Sequence, residues 1–84
     1  MKGRRVMGEF AFPHGMQPGD YGRHPHDQQW MARTPNGHLC NLSRHEVVEH
    51  DDWTITVSPS IAVSRSHDEV VWHGFLEHGV WREC

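Results

Sequence analysis

Trp53-Thr54-Ile55-Thr56-Val57-Ser58-Pro59-Ser60-Ile61 decides the fold class of this 84-residue chain. Its first five residues alternate strictly, so Trp53, Ile55 and Val57 share one face and Thr54 and Thr56 the other, the pattern of a half-buried β-strand. Pro59 cannot donate to a ladder and interrupts the strand; Ile61-Ala62-Val63 resumes it. A polar turn over residues 64–68 leads into a closing hairpin that runs from Glu69 to Leu76, turns at Glu77-His78-Gly79 and returns through Val80 to Arg82. Gly79 supplies the positive φ that the turn requires. A helix over residues 68–78 competes, because Val71, Phe75 and His78 would share a face. Adjacent Val70 and Val71 and the interrupting Gly74 favour the strand.

Working outward toward the N-terminus, Ser43-Arg44-His45-Glu46 has the S-x-x-E form of a capping box, which predicts a short helix from Arg44 to His50 ended by Asp51-Asp52. With only Val47 and Val48 as apolar content, such a helix would depend on tertiary packing. Pro35-Asn36-Gly37 marks a hairpin turn between a strand around Trp30, Gln28 to Arg33, and a returning strand from His38 to Leu42. Met7 to Phe12 alternates around Val6, Gly8, Phe10 and Phe12 and suits a first strand. Pro13 to Asp27 holds three prolines, three glycines and three histidines and reads as a long loop. Loops of that length are functional or disordered. The expected organisation is therefore an N-terminal strand and Pro/Gly/His-rich arm over residues 1–29 and a compact domain over residues 30–84. The expected fold class is mainly β, a small antiparallel sheet with hairpins, with one short helix and an irregular arm.

Composition narrows the function. A domain of this size buries only about 60–65% of the surface its unfolded chain exposes, so the four tryptophans should carry much of the core. A lone core so small is marginal, and homodimerisation would support it. No apolar run approaches the ~18 residues that span a bilayer, and the basic start is not followed by the apolar stretch of a secretory signal. Residues 1–42 carry a net +2 and residues 43–84 a net −5. An acidic balance without a basic stripe argues against nucleic-acid binding, and Arg4 and Arg5 read as a solvated start. An acidic face suits a basic protein partner. Cys40 and Cys84 make no disulfide framework; Cys40, between Leu39 and Leu42, reads as a small core residue.

The order of tryptophan strand, Thr56-Val57-Ser58-Pro59-Ser60-Ile61, and a hairpin holding His73, Phe75-Leu76 and Gly79-Val80 and ending at Cys84 resembles a family of small, mostly phage-encoded zinc-knuckle domains of unknown function, some labelled ammonia monooxygenase. The resemblance covers roughly residues 30–84. Its C-P-x-C knuckle falls on Thr34-Pro35-Asn36-Gly37, where both thiols are missing, and Trp72 stands at the first ligand position of the hairpin, leaving His73. One imidazole does not make a structural zinc site, which takes four ligands. The resemblance thus implies a metal-free member without a cofactor, with packing, Trp72 included, replacing the metal. It further implies residence in host cytoplasm or virion.

Nine histidines keep a second reading open, a structural module for zinc or another metal. His38, Cys40, His73 and Cys84 are its candidate ligands; His24-Pro25-His26 and a meeting of His73 with His78 are further pairings. None has C-x-x-C or H-x-x-x-H spacing. No serine sits in a G-x-S-x-G elbow, and Glu46, Glu49, Asp51 and Asp52 read as a solvated acidic face, so no enzyme is expected. The leading expectation is a non-enzymatic accessory protein that binds another protein, either inhibiting a host or defence complex or assembling in the virion. Tyr21, Trp30, Trp72 and Trp81 are the expected contacts, because Trp and Tyr dominate interface hot spots.

Overall fold

Eight strands make two four-stranded sheets in a computed structural model that describes residues 1–66 and 69–84. The strands are β1 (Arg4–Arg5), β2 (Asp20–Arg23), β3 (Trp30–Arg33), β4 (Leu39–Asn41), β5 (Glu46–Glu49), β6 (Ile55–Ser66), β7 (Glu69–Glu77) and β8 (Val80–Glu83). Sheet order is β1-β2-β3-β4 and β5-β6-β7-β8, with only the β1–β2 pair parallel. The mainly β expectation holds. The described residues contain no α-helix, only two 3-10 turns at Gly8–Ala11 and Pro13–Gly15.

Residues 1–6 join the two sheets. Lys2 bridges Val80 on the free side of β8, the Gly3 amide donates to the Gly79 carbonyl at 2.7 Å, and the Trp81 amide donates to the Met1 carbonyl at 2.8 Å. A few residues later the same chain pairs with β2, the Val6 amide donating to Tyr21 at 2.8 Å. This covers the β8 edge, which would otherwise present unpaired backbone groups. The core lies between the sheets around Tyr21, Leu42, Ile55, Ile61, Trp72, Leu76 and Trp81, with a smaller cluster of Val6, Ala11 and Met16 under the N-terminal turns.

The closing hairpin is as expected, with a two-residue turn at His78 and Gly79 (φ +47° and +74°), the pattern of a type I′ hairpin. Ile55 and Val57 are buried on the inner face. Pro59 does not end the strand: four steps along β6, from Val57 to Ile61, cover two along β7, from Leu76 to Gly74, so the ladder absorbs Pro59 in a bulge. The turn expected over residues 64–68 lies partly outside the described residues; up to Ser66 the chain is still strand.

Three local expectations are corrected. Residues 46–49 form β5, not part of a helix, because pairing Glu46 to Ser58 through Glu49 to Ile55 gives every residue a ladder partner, whereas two helical turns holding two adjacent valines would have stood almost alone. The Ser43 amide donates to Asn41 Oδ1 at 2.7 Å, which places the serine in a turn instead of a helix cap. Within residues 7–12, Gly8–Ala11 is a 3-10 turn entered through Gly8 at φ +59°, with Met7 and Phe10 exposed, and the first strand lies earlier at Arg4–Arg5. Finally, residues 13–27 include β2, whose Asp20 and Tyr21 are buried. The supposed arm thus supplies a central strand of the first sheet. Asp20 is buried at no loss of polar partners: Arg4 Nε and Nη2 donate to its two oxygens at 3.2 and 3.0 Å, and the Gln17 amide donates at 2.9 Å.

Candidate binding surface

Where β1, β2 and β3 meet the turn between β5 and β6, two guanidinium groups and two indoles form a layered seam. Arg5 lies with its Cζ 3.7 Å from the Trp53 ring centroid and 4.9 Å from that of Trp30; Arg23 lies 4.9 Å from Trp30. Arg5 Nη2 donates to Glu49 Oε1 at 2.7 Å and Arg23 Nη2 to Glu49 Oε2 at 2.9 Å, one cation on each carboxylate oxygen. The Arg5 side chain is only 10% exposed, that of Glu49 43%. Burying a guanidinium is tolerated here because its charge meets a carboxylate and its planar faces meet aromatic rings. The Arg5 hydrogen bond is the main cause holding the Glu49 carboxyl below the usual carboxylate range.

The turn sets Trp53. The His50 amide donates to the Thr54 carbonyl at 2.9 Å and the Trp53 amide to the His50 carbonyl at 3.1 Å; Asp52 Oδ1 accepts from the Thr54 amide and hydroxyl at 3.2 and 2.6 Å. The Thr54 hydroxyl is also the chief reason the Asp52 carboxyl sits below its ordinary range. Closure of this turn leaves Trp53 at φ +75°, a left-handed conformation that costs a bulky residue on the order of 1–3 kcal/mol. Trp53 is 50% exposed. The expectation that it shares the inner face with Ile55 and Val57 is overturned, since the turn reverses the backbone one residue before β6 begins.

Two hollows flank the seam. One, of about 170 Å³, is lined by Arg5, Val6, Met7, Gly8, Arg23, Pro25, Gln28 and Trp53. The other, about 320 Å³ and more open, lies beside Trp30, Leu42, His45 and Val47.

Of the expected contacts, only Trp30 borders this surface. Tyr21, Trp72 and Trp81 are 2–3% exposed, Trp72 and Trp81 meeting edge to face at 5.4 Å. They are core because filling the space between two sheets in so small a domain takes large aromatic side chains. Trp53 is the exposed aromatic residue that the sequence does not single out; the acidic pair Asp51-Asp52 directly before it was the available turn signal. Glu49, expected on a solvated acidic face, is exposed and pairs there with two arginines.

The candidate metal ligands do not converge. His73 Nε2 pairs with Ser60 Oγ at 2.9 Å, Cys40 Sγ donates to the Ala32 carbonyl at 3.4 Å, Cys84 is exposed, and His38 lies at the β3–β4 turn. Among the described residues no group of three or more metal-ligating side chains forms. His78 does not meet His73; its ring stacks on His50 with centroids 3.9 Å apart. His24 and His26 do approach, 5.5 Å apart, with Phe12 packed edge-on against both. The Ser60–His73 pair lies on the open sheet surface and lines neither hollow.

Burial pushes the Cys40 thiol up to about 11. At pH 8 its thiolate fraction is therefore about one in a thousand. Two-step alkylation should show one fast thiol, Cys84, and a second, Cys40, that reacts only in denaturant; equal rates for both would contradict the packing around β3 and β4.

Comparison with known proteins finds no match to any family model, curated protein or solved structure.

Proposed function

We propose that this protein is a small non-enzymatic binding module that attaches to a protein partner through the Arg5–Trp53–Trp30–Arg23 seam. The observation that supports this reading is Trp53: a large aromatic residue held half-exposed in a strained backbone conformation and braced from beneath by a nearly buried arginine. Packing alone gives no reason to hold it there, since burying the indole would stabilise the domain by ~2 kcal/mol or more. Trp and Arg are the residue types that concentrate binding energy, and rigid placement lowers the entropic cost of association.

A stable interface takes about 800 Å² from each partner, more than Trp53 offers alone. The footprint therefore extends over the adjoining hollows and onto exposed Met7 and Phe10. The resemblance of residues 30–84 to phage-encoded domains directs the search for the partner to an infected host cell, where a defence complex or a virion protein is the expected target. Tagged protein and its Trp53→Ala variant, used for affinity capture from infected cells, test the reading. The variant should retain its fold and lose the captured partner by at least about tenfold. Undiminished capture by a folded Trp53→Ala variant would remove the seam from consideration.

A further inference from the structure

The seam already holds a carboxylate of the chain itself. Glu49 reaches into it from the outer strand of the second sheet, and its carboxylate takes one N–H from each of two arginines that belong to the first sheet. Two full positive charges face one negative charge, so the pair keeps a net +1 beside a hollow whose only charged lining groups are Arg5 and Arg23. The rest of that lining is mostly apolar or uncharged, with Val6, Met7, Pro25 and the Trp53 ring prominent. Arg5 is fixed: its side chain is nine-tenths buried and its faces are held by indoles. The Glu49 side chain is not, at 43% exposed and, among the described residues, hydrogen-bonded through these two contacts alone.

On this basis we infer that the Arg5–Arg23 pair is a carboxylate-recognition site, occupied in the free protein by Glu49 as an internal competitor. Its external ligand is an acidic side chain in an extended segment of a protein partner, with a neighbouring apolar side chain seated in the 170 Å³ hollow against Trp53. The inference rests on the binding-module reading and gives its partner a chemistry. Three features favour this occupant. Fork-shaped guanidinium donors match the two oxygens of a carboxylate. The occupant now present is itself a glutamate delivered from an extended strand. A hollow of this volume accommodates one large apolar side chain. Because Glu49 must leave before the ligand enters, affinity is reduced by the fraction of molecules in which the site is closed.

The two halves of the site then respond with opposite sign. Glu49→Gln, which keeps shape and removes the charge, should strengthen binding, whereas Arg23→Gln should weaken it. The probe is a fluorescein-labelled, C-terminally amidated peptide carrying Glu between Phe and Leu, with the same peptide bearing Gln as control, followed by anisotropy at low salt. Expected results are tighter binding of the Glu peptide to Glu49→Gln by about tenfold, loss by about tenfold in Arg23→Gln, and no binding of the Gln peptide to any form. Arg23→Lys, which keeps the charge without the fork, should recover little of the loss. Retained near-ultraviolet circular dichroism shows that each variant is folded.

If Glu49→Gln binds the Glu peptide no better than the wild type does, the internal-competitor inference is wrong. Displacement of the peptide by inorganic phosphate at lower concentration than by acetate would overturn the carboxylate assignment. Should Trp53→Ala abolish partner capture while Glu49→Gln leaves peptide binding unchanged, the seam stands as the interface and the carboxylate site falls.

Discussion

Replacing Trp81 by alanine is expected to remove about 3–5 kcal/mol of stability. Trp81 is 2% exposed, and its ring stands against Trp72 at 5.4 Å. Its indole N–H donates to the Gly19 carbonyl at 2.9 Å, a buried bond that links β8 to the segment entering β2. Truncation therefore opens a cavity of nearly indole size and takes from the Gly19 carbonyl the shorter of its two hydrogen bonds, leaving the one from the Arg4 amide at 3.3 Å. A chain of 84 residues has a total stability on the order of 4–13 kcal/mol, so the loss is a large share of it. Urea unfolding followed by far-ultraviolet circular dichroism reads the result. Trp81→Phe, which keeps much of the volume but not the N–H, should fall between alanine and wild type. A Trp81→Ala protein within 1 kcal/mol of the wild type would mean that β8 and the N-terminal segment do not share this core.

Gly22→Ala should be almost as damaging, although it adds a single methyl group. Gly22 is buried in β2 opposite Met31, and a Cβ there would run into the carbonyl of Val6, a backbone atom that cannot swing aside. The close approach exists because the Val6 amide donates to the Tyr21 carbonyl at 2.8 Å, holding the N-terminal chain against β2. Relief requires β1 to separate from β2, which also displaces Arg5 from Trp30, Trp53 and Glu49. The expected loss is about 2–4 kcal/mol, the upper part of the range for overpacking plus broken hydrogen bonds. Amide exchange should show Tyr21 and Val6 losing protection first. Near-normal stability would indicate that residues 1–6 are a loose arm and do not belong to the sheet.

A third expectation follows from Glu49. Its carboxyl is held down by Arg5 and Arg23, so the folded protein binds that proton more weakly than the unfolded chain does. The corresponding stabilisation is fully present above the ordinary carboxylate range and is lost as pH falls through the lowered value. An exposed carboxylate of this kind contributes modestly and is screened by salt. In Glu49→Gln, the acid limb of the stability profile should be shallower than in the wild type, as judged by thermal unfolding between pH 3 and pH 6 at low salt.

Much of the second sheet can be read directly from residues 53–84. Period-two alternation at Ile55 and Val57 and the His78-Gly79 turn are local signals, and the ladder between β6, β7 and β8 agrees with them. Gly79 takes the positive φ its position demands. Pro59 misleads only in part, because a long strand paired to a neighbour can carry a proline in a bulge while an isolated strand would stop. The N-terminal third is different. Its prolines, glycines and histidines lower local propensity, and what makes Asp20–Arg23 a strand is the company of β1 and β3, invisible in a window of ten residues. Residues 46–49 show the same conflict resolved the same way: a capping-box pattern gave a local vote for helix, and pairing with β6 outweighed it.

The candidate surface was less legible still. Arg5, Arg23, Trp30, Glu49 and Trp53 are scattered over almost fifty positions, and nothing in their spacing marks them as neighbours. Sequence by itself determined that this chain is mainly β, that its last two strands form a tight hairpin, and that a few large aromatics must fill a small core, because each of these follows from side-chain period, turn chemistry and surface-to-volume ratio. Tertiary structure alone decided which aromatics fill that core. It buried Tyr21, Trp72 and Trp81, and left Trp53 outside because the Asp52–Thr54 turn reverses the chain just before β6. Long-range sheet pairing, not local preference, then brought two arginines and one glutamate to a single point.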